Sequence, residues 1–246
     1  MPFTFSHPAI ILPLSYLPKK WFSMTGLIIG SLTPDFEYFI RMKIKSEYSH
    51  TIEGIFWFDL PLGVLIAFIF HNIIRNSLFD NLPLFLKSRL FIFKQLNWNS
   101  YFKKNWIIVI ISILIGAFSH IFWDSFTHFD GYFVKTVPNL SNTVVFNSIE
   151  VPILKILQHS STIIGAFAIG WSIYKIPTLH TEKQSINLKY WSTILLLIFI
   201  IISLKLINGL KLHQYGNLIV SVISALLLSL IITPFLIKNS NKTINT

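Results

Sequence analysis

Long apolar runs separated by short polar stretches occupy most of the chain from residue 56 onward. A bilayer-spanning helix needs about 20 mostly apolar residues. Four runs meet that length, roughly 106–123, 153–174, 190–207 and 217–237. A fifth, 56–74, is interrupted by Asp59, Pro61 and His71. Gly165 and Gly170 in the third-from-last run are tolerated in membrane helices and let neighbours approach closely. Residues 1–55 follow a different pattern: the apolar stretches 9–17 and 21–32 are too short to span and are broken by Pro8, Pro13, Pro18 and Pro34. They predict short helices or re-entrant pieces packed on the bundle, since non-helical backbone at membrane depth is tolerated only where protein buries it. The expectation is an all-α, polytopic membrane bundle of about five spans, with short N-terminal helices packed at one membrane face. We read it as a single membrane domain, 1–246, with a core at 1–165 and accessory transmembrane helices at 190–237.

Composition agrees with this pattern. Of 246 residues, 53% are hydrophobic and 12% charged, and mean hydropathy is +0.63. Soluble domains carry about 25% charged residues, so neither a soluble globule nor a disordered chain is expected. The lack of cysteine excludes disulfides, thiolate metal ligands and a cysteine nucleophile. The formal net charge of +10 is read as loops lying against anionic lipid headgroups, not as a nucleic-acid surface. The opening residues lack the basic stretch and cleavage site of a signal peptide. With five spans, loops 75–105 and 175–189 and the C-terminal tail share one face and hold eleven basic residues; the opposite loops hold seven. That bias predicts the first set to be cytoplasmic, in a bacterial inner or plasma membrane. The loop 75–105, with Trp98 and Tyr101, suits an interfacial amphipathic piece. The tail 239–246 is read as frayed.

Ionisable groups are expensive near membrane depth and tend to mark function. His120, Asp124 and His128 stand at i, i+4 and i+8. On a helix that spacing places all three on one face, where imidazoles and a carboxylate form a row of divalent-metal ligands. The alternative is a polar stripe at a helix end, satisfied by water or headgroups. Asp35 after Pro34 is either a ligand or a helix cap, and His7 and His50 are either ligands or loop histidines. Comparing span ends strengthens the metal reading. His50 and Asp59 enter the first span, His120, Asp124 and His128 leave the second, and His159 enters the third, so in an up-and-down bundle these ends share a face, predicted extracytoplasmic. His7 and Asp35 precede the first span and join them. His71 reads as a helix-end histidine, and His180 and His213 as loop residues. Zinc suits imidazole-rich ligation, with manganese or iron also compatible. Such a metal lowers the pKa of bound water toward ~7 and polarises a phosphoryl or acyl oxygen. Glu37, Glu53 or Asp59 would act as base or orient a ligand; Glu37 and Asp59 are the catalytic candidates. The chain has no GxSxG, P-loop, GxGxxG or HExxH motif.

The segments Met1–Ala9, Gly30–Tyr38, His50-Thr51, Phe58–Pro61, Ser119–His128 and Gln158–Thr162 together resemble a bacterial integral-membrane family known as domain of unknown function 4184. More distantly the chain is similar to membrane-bound metal-dependent hydrolases and to zinc-dependent phospholipase C. The phospholipase ligand order is followed by His7, Asp35, His50, His120 and Asp124, His128 and His159. The chain departs from it at Met1, where the phospholipase has Trp, at Ile163, where it has Glu, and in the shorter interval from Asp124 to His128. The resemblance therefore implies one or two ions and not three. It implies a hydrolase acting on a phosphoester, a phospholipid being one candidate, with membrane lipids as partners. The competing expectations are a metal or proton carrier and a structural or lipid-binding module.

Overall fold

The computed structural model describes residues 3–18, 20–146, 148–179 and 187–237; His180 and the tail 239–246 lie outside them. A 3-10 segment, Thr4–Tyr16, is followed by α1 (Met24–Leu32), α2 (Phe36–Arg41), α3 (Ile52–Asp80), α4 (Leu84–Leu90), α5 (Trp98–Asp124), α6 (Tyr132–Thr136), the hairpin β1 (Thr143–Phe146) and β2 (Ile149–Pro152), and α7 (Ile153–Lys175), α8 (Leu188–Ile207) and α9 (Tyr215–Leu236). Among the described residues five helices, α3, α5, α7, α8 and α9, are long and apolar enough to cross a membrane. Their surfaces carry exposed Ile163, Ile164, Phe167, Leu195, Leu196 and Phe199, which bilayer hydrocarbon accommodates and water does not. The all-α expectation holds apart from the small antiparallel hairpin in loop 124–152.

Two local features bear on function. α3 contains two π-helical turns, Ile55–Asp59 and Phe70–Ile74, so its intramembrane Asp59 and His71 both sit where the helix is widened. α5 is broken at Asn105 (φ −129°, ψ 24°), so its straight apolar part begins near Trp106, as its hydrophobic run predicts.

The chain forms two compact units. The first comprises residues 1–37, 46–67 and 102–175. Here Pro8 and Pro13 deny the N-terminal segment an α-helical ladder, and tertiary contacts hold it instead. Phe3 N donates to Thr162 Oγ1 (3.0 Å), and Ser6 Oγ donates to the Thr162 carbonyl (3.1 Å). Ser6 packs where a Cβ on Gly165 would otherwise stand. α1 starts at a Ser23 cap, whose hydroxyl accepts from Gly26 N (3.2 Å). Ser23 N in turn donates to Ser112 Oγ of α5 (2.8 Å). Along the rest of α1 the two backbones touch. A Cβ on Gly30 would overlap the Ile113 carbonyl, and one on Gly116 would overlap the Leu27 carbonyl. Small residues permit this approach in membrane helices, and it brings Ser31 beside His120.

The second unit comprises residues 38–45, 68–101 and 176–246. α8 and α9 pack through Tyr190, Ile194 and Ile237, with Ile198, Leu226 and Leu230 around them. Trp191 Nε1 donates to the Asn81 carbonyl (2.8 Å). On α9, Ser224 and Ser221 donate to the carbonyls of Phe39 (2.8 Å) and Met42 (3.1 Å), satisfying the end of α2. α8 and α9 thus supply packing and caps in this unit.

The Gly116 approach gives a first prediction. Gly116→Val should destabilise the detergent-solubilised protein by about 1–3 kcal/mol, the usual cost of overpacking. Gly170→Ala, which meets nothing within 4 Å, should leave the melting temperature almost unchanged. Equal melting curves for both variants would show that α1 and α5 do not touch.

Candidate metal centre

Each candidate ligand comes from a different piece of local structure. His7 sits in the 3-10 segment, where Pro8 and the Thr162 contacts fix the backbone. Asp35 lies in the 3-10 turn Thr33–Asp35 that joins α1 to α2. His50 ends a loop before α3. His120 and Asp124 share a face of the last turns of α5. The helix stops at Asp124, so the expected three-residue helical row is only two long. His128 follows in a turn whose amide still bonds to the Asp124 carbonyl (3.0 Å).

These pieces converge. His7 Nε2 is 3.6 Å from Asp124 Oδ1. His120 Nε2 is 3.3 Å from Asp124 Oδ2 and 3.6 Å from Asp35 Oδ1. His50 Nε2 is 3.5 Å from Asp35 Oδ1 and 3.6 Å from Asp124 Oδ2. In two overlapping triads, His7/Asp35/His120 and His50/His120/Asp124, the ligand atoms all lie within 4.8 Å of one another. Ligands at 2.0–2.2 Å from a tetrahedral ion stand about 3.4 Å apart, which is the spacing seen. The separations are long for hydrogen bonds. Both His7 ring nitrogens, Asp35 Oδ1, His120 Nε2 and both Asp124 oxygens are buried and make none. Buried polar atoms are rarely left so. Two carboxylates and a divalent ion sum to zero charge. These buried His and Asp groups could therefore hold a metal ion.

An outer ring of hydrogen bonds aims these side chains inward. His120 Nδ1 is 2.7 Å from the Ser31 carbonyl, so this nitrogen carries a proton and, in the neutral ring that a metal requires, Nε2 presents its lone pair to the cluster. Thr4 Oγ1 donates to Asp35 Oδ2, leaving Oδ1 to the centre. His50 Nδ1 lies 3.0 Å from Ser46 Oγ and 3.1 Å from Ser49 Oγ. That serine loop is folded around Glu37, whose carboxylate accepts from the amides of Glu47 (2.9 Å), Tyr48 (3.0 Å) and Ser49 (2.9 Å) and from Ser46 Oγ (3.2 Å). Thr4, Ser31, Ser46 and Ser49 carry no isolated sequence signal. Only the closeness of Ser46 and Ser49 to His50 hints at their part.

The remaining candidates are placed differently. Glu37 is committed to the loop and orients His50 through it. Asp59 is fully buried, with neither oxygen hydrogen-bonded, and it feels the charges of His50, His120, Glu37 and Asp35. Glu53 is exposed. His128 stands at the rim, with Nδ1 3.7 Å from Asp124 Oδ1 but 3.0 Å from the Asp124 carbonyl. His159 is exposed and belongs to neither triad. On the same helix, α7, Thr162 and Gly165 meet the N-terminal segment.

The electrostatics leave His7 neutral and Asp35 ionised. Burial, then the charge of His120, pushes His7 down to about 3, so its ring is neutral and stacks on His120 at 3.6 Å between centroids. Burial raises Asp35, but His120 and His50 outweigh it and hold the carboxyl below its usual range. Burial lowers His50, but Asp124 and Asp35 outweigh it and raise the imidazole above its usual range.

The profile of the family described as domain of unknown function (DUF4184) matches residues 1–235. The chain belongs to the DUF4184 family. No curated protein and no solved structure matches the chain. The converging His and Asp residues therefore belong to a DUF4184 protein, and their chemistry has to be argued from their geometry.

His50 contributes to the pH dependence. With its pKa raised in the metal-free fold, its ion pairs contribute stability that is fully present below pH ~6.5. That contribution is lost as pH rises through the raised value. A metal needs the neutral ring, so proton competition is strongest at low pH. The melting-temperature gain on adding zinc or manganese should be larger at pH 8 than at pH 6. Equal gains at both would argue against imidazole ligation.

Proposed function

We propose that this protein is a membrane-embedded, metal-dependent hydrolase acting on a phosphoester, with a membrane phospholipid as the favoured substrate. The observation that carries this reading is the convergence of His7, Asp35, His50, His120 and Asp124, from four separate chain segments, with buried and mostly unbonded ligand atoms turned inward. A divalent ion bound there would supply water activation near neutral pH and would stabilise charge developing on a phosphoryl oxygen. Zinc fits the three-imidazole, two-carboxylate donor set, and manganese or iron fits it as well.

The chain's own residues would do the rest. Asp35 and Asp124 offset the ion's charge. The Ser31 carbonyl and the Ser46 and Ser49 hydroxyls keep His120 and His50 aimed, so little reorganisation accompanies reaction. Asp59, buried and without a hydrogen bond, takes the proton from the attacking water on a carboxylate oxygen. His128 at the rim is placed to orient the leaving group. Exposed Phe5, Tyr48, Trp123 and Phe129 flank the ligands along the chain. Aromatic side chains of this kind favour the membrane interface, which supports a lipid substrate.

Elemental analysis of the purified protein should find stoichiometric metal, and phosphatidylglycerol or phosphatidylcholine in mixed micelles should release diacylglycerol in a chelator-sensitive way. Asp124→Ala should abolish both while the protein still inserts. Wild-type protein without bound metal would overturn the proposal. Glu37→Gln, which weakens the loop that carries His50, should weaken metal affinity by about 10–100-fold, as loss of ligand-orienting contacts commonly does. An unchanged affinity on metal titration would remove Glu37 from that role.

A further inference from the structure

The second unit holds a buried charge of the opposite sign. Arg75, near the C-terminal end of α3, is only 5% exposed. Its Nη1 donates to the Leu96 carbonyl (2.8 Å) and lies 3.0 Å from His71 Nδ1, and its Nε donates to Asn76 Oδ1 (3.1 Å). No carboxylate reaches it among the described residues, and its Nη2 makes no hydrogen bond there. Lys94, the nearest other cation along the lining, is bonded to Asp80. Buried charges are ordinarily paired, so a guanidinium with neutral partners only is an unsatisfied cation.

Arg75 borders a cavity of about 360 Å³, lined also by His71, Asn76, Gln95, Asn97 and Trp98. The lining is biased toward donors. Asn76 Oδ1 is used by Arg75 Nε, and Asn97 Oδ1 caps α5 by accepting from Ser100 N (3.0 Å). Those bonds fix both amide orientations, so the Nδ2 groups of Asn76 and Asn97 are left as donors. His71 accepts from the guanidinium through Nδ1 and is stacked on Trp98 at 4.4 Å and 8°, which locks the Arg75 side of the cavity in place. The cavity therefore offers a cation and two amide donors.

We propose that this cavity is a binding site for an anionic phosphate group, taken from an acidic phospholipid headgroup or from free phosphate. Arg75 Nη2 and the Asn76 and Asn97 amides hold the phosphate oxygens, and the ligand completes the neutralisation of Arg75. The site is independent of the metal centre, and its test works on chelator-treated protein.

The experiment follows thermal unfolding of the full chain in a neutral detergent, titrated separately with inorganic phosphate, phosphatidylglycerol and phosphatidylcholine. A saturable rise in melting temperature with phosphate, or with phosphatidylglycerol beyond that with phosphatidylcholine, is expected. The first response assigns the site to free phosphate and the second to a headgroup. Arg75→Gln should weaken the response about tenfold or more, the factor expected for loss of a charge-assisted hydrogen bond. Asn76→Asp guards against misfolding: it places a carboxylate beside the Arg75 guanidinium, so it should raise the ligand-free melting temperature and abolish the response. Equal responses to the two lipids with none to phosphate, or an Asn76→Asp variant that responds like wild type, would overturn the proposal.

Discussion

The first unit is organised around two carboxylates, Asp35 and Asp124, that sit almost out of reach of water. An isolated buried carboxylate costs far more than a folded chain can absorb, so the charge must be met where it stands. Imidazoles meet part of it, with His120 between the two acids and His50 bridging the same pair. Three imidazoles cannot all be charged, however, because His7 stacks directly on His120. With the imidazoles neutral, one compact dication could supply the compensation instead. Much of the unit's architecture serves to bring these groups within range: the glycine contacts that let α1 lie on α5, the Thr162 anchor on the N-terminal segment, and the Glu37 scaffold beneath His50.

The spanning helices are legible in the sequence because a bilayer imposes one length and one polarity on every crossing element. The long apolar runs beyond residue 100 emerge as helices close to their expected limits, and the Asn105 break explains why α5 extends past its apolar run toward Trp98. The convergence of His and Asp residues is legible for a related reason: ionisable residues are so rare in this chain that each one carries information. What was not legible depends on three-dimensional direction. The i, i+4, i+8 rule assumes that the helix continues, and it stops at Asp124, which leaves His128 in a turn. His159 satisfied an order along the chain, yet it stands exposed and outside both triads. Glu37 has the residue type of a catalytic base, yet its oxygens are turned to backbone amides. The hairpin in loop 124–152 is too short and too weakly alternating to announce itself. The two π turns of α3 have no local signature either, although each carries an intramembrane polar residue.

His71 and His120 show why residue type alone was an insufficient guide. Both are histidines near the ends of apolar helices, both are buried, and both stack on another ring. The difference lies in what faces the ring nitrogens. His120 gives one proton to a main-chain carbonyl and turns its other nitrogen toward two carboxylates, which is the posture of a metal ligand. His71 receives a guanidinium at Nδ1, so that nitrogen is an acceptor and is not available to an ion. The sign of the charge brought to the imidazole thus decides the chemistry of each neighbourhood. Carboxylates around His120 make a place for a cation, and Arg75 beside His71 makes a place for an anion. In a low-dielectric surrounding neither charge can be left to bulk water, so each unit's unmet charge is the most direct physical indication of what it binds.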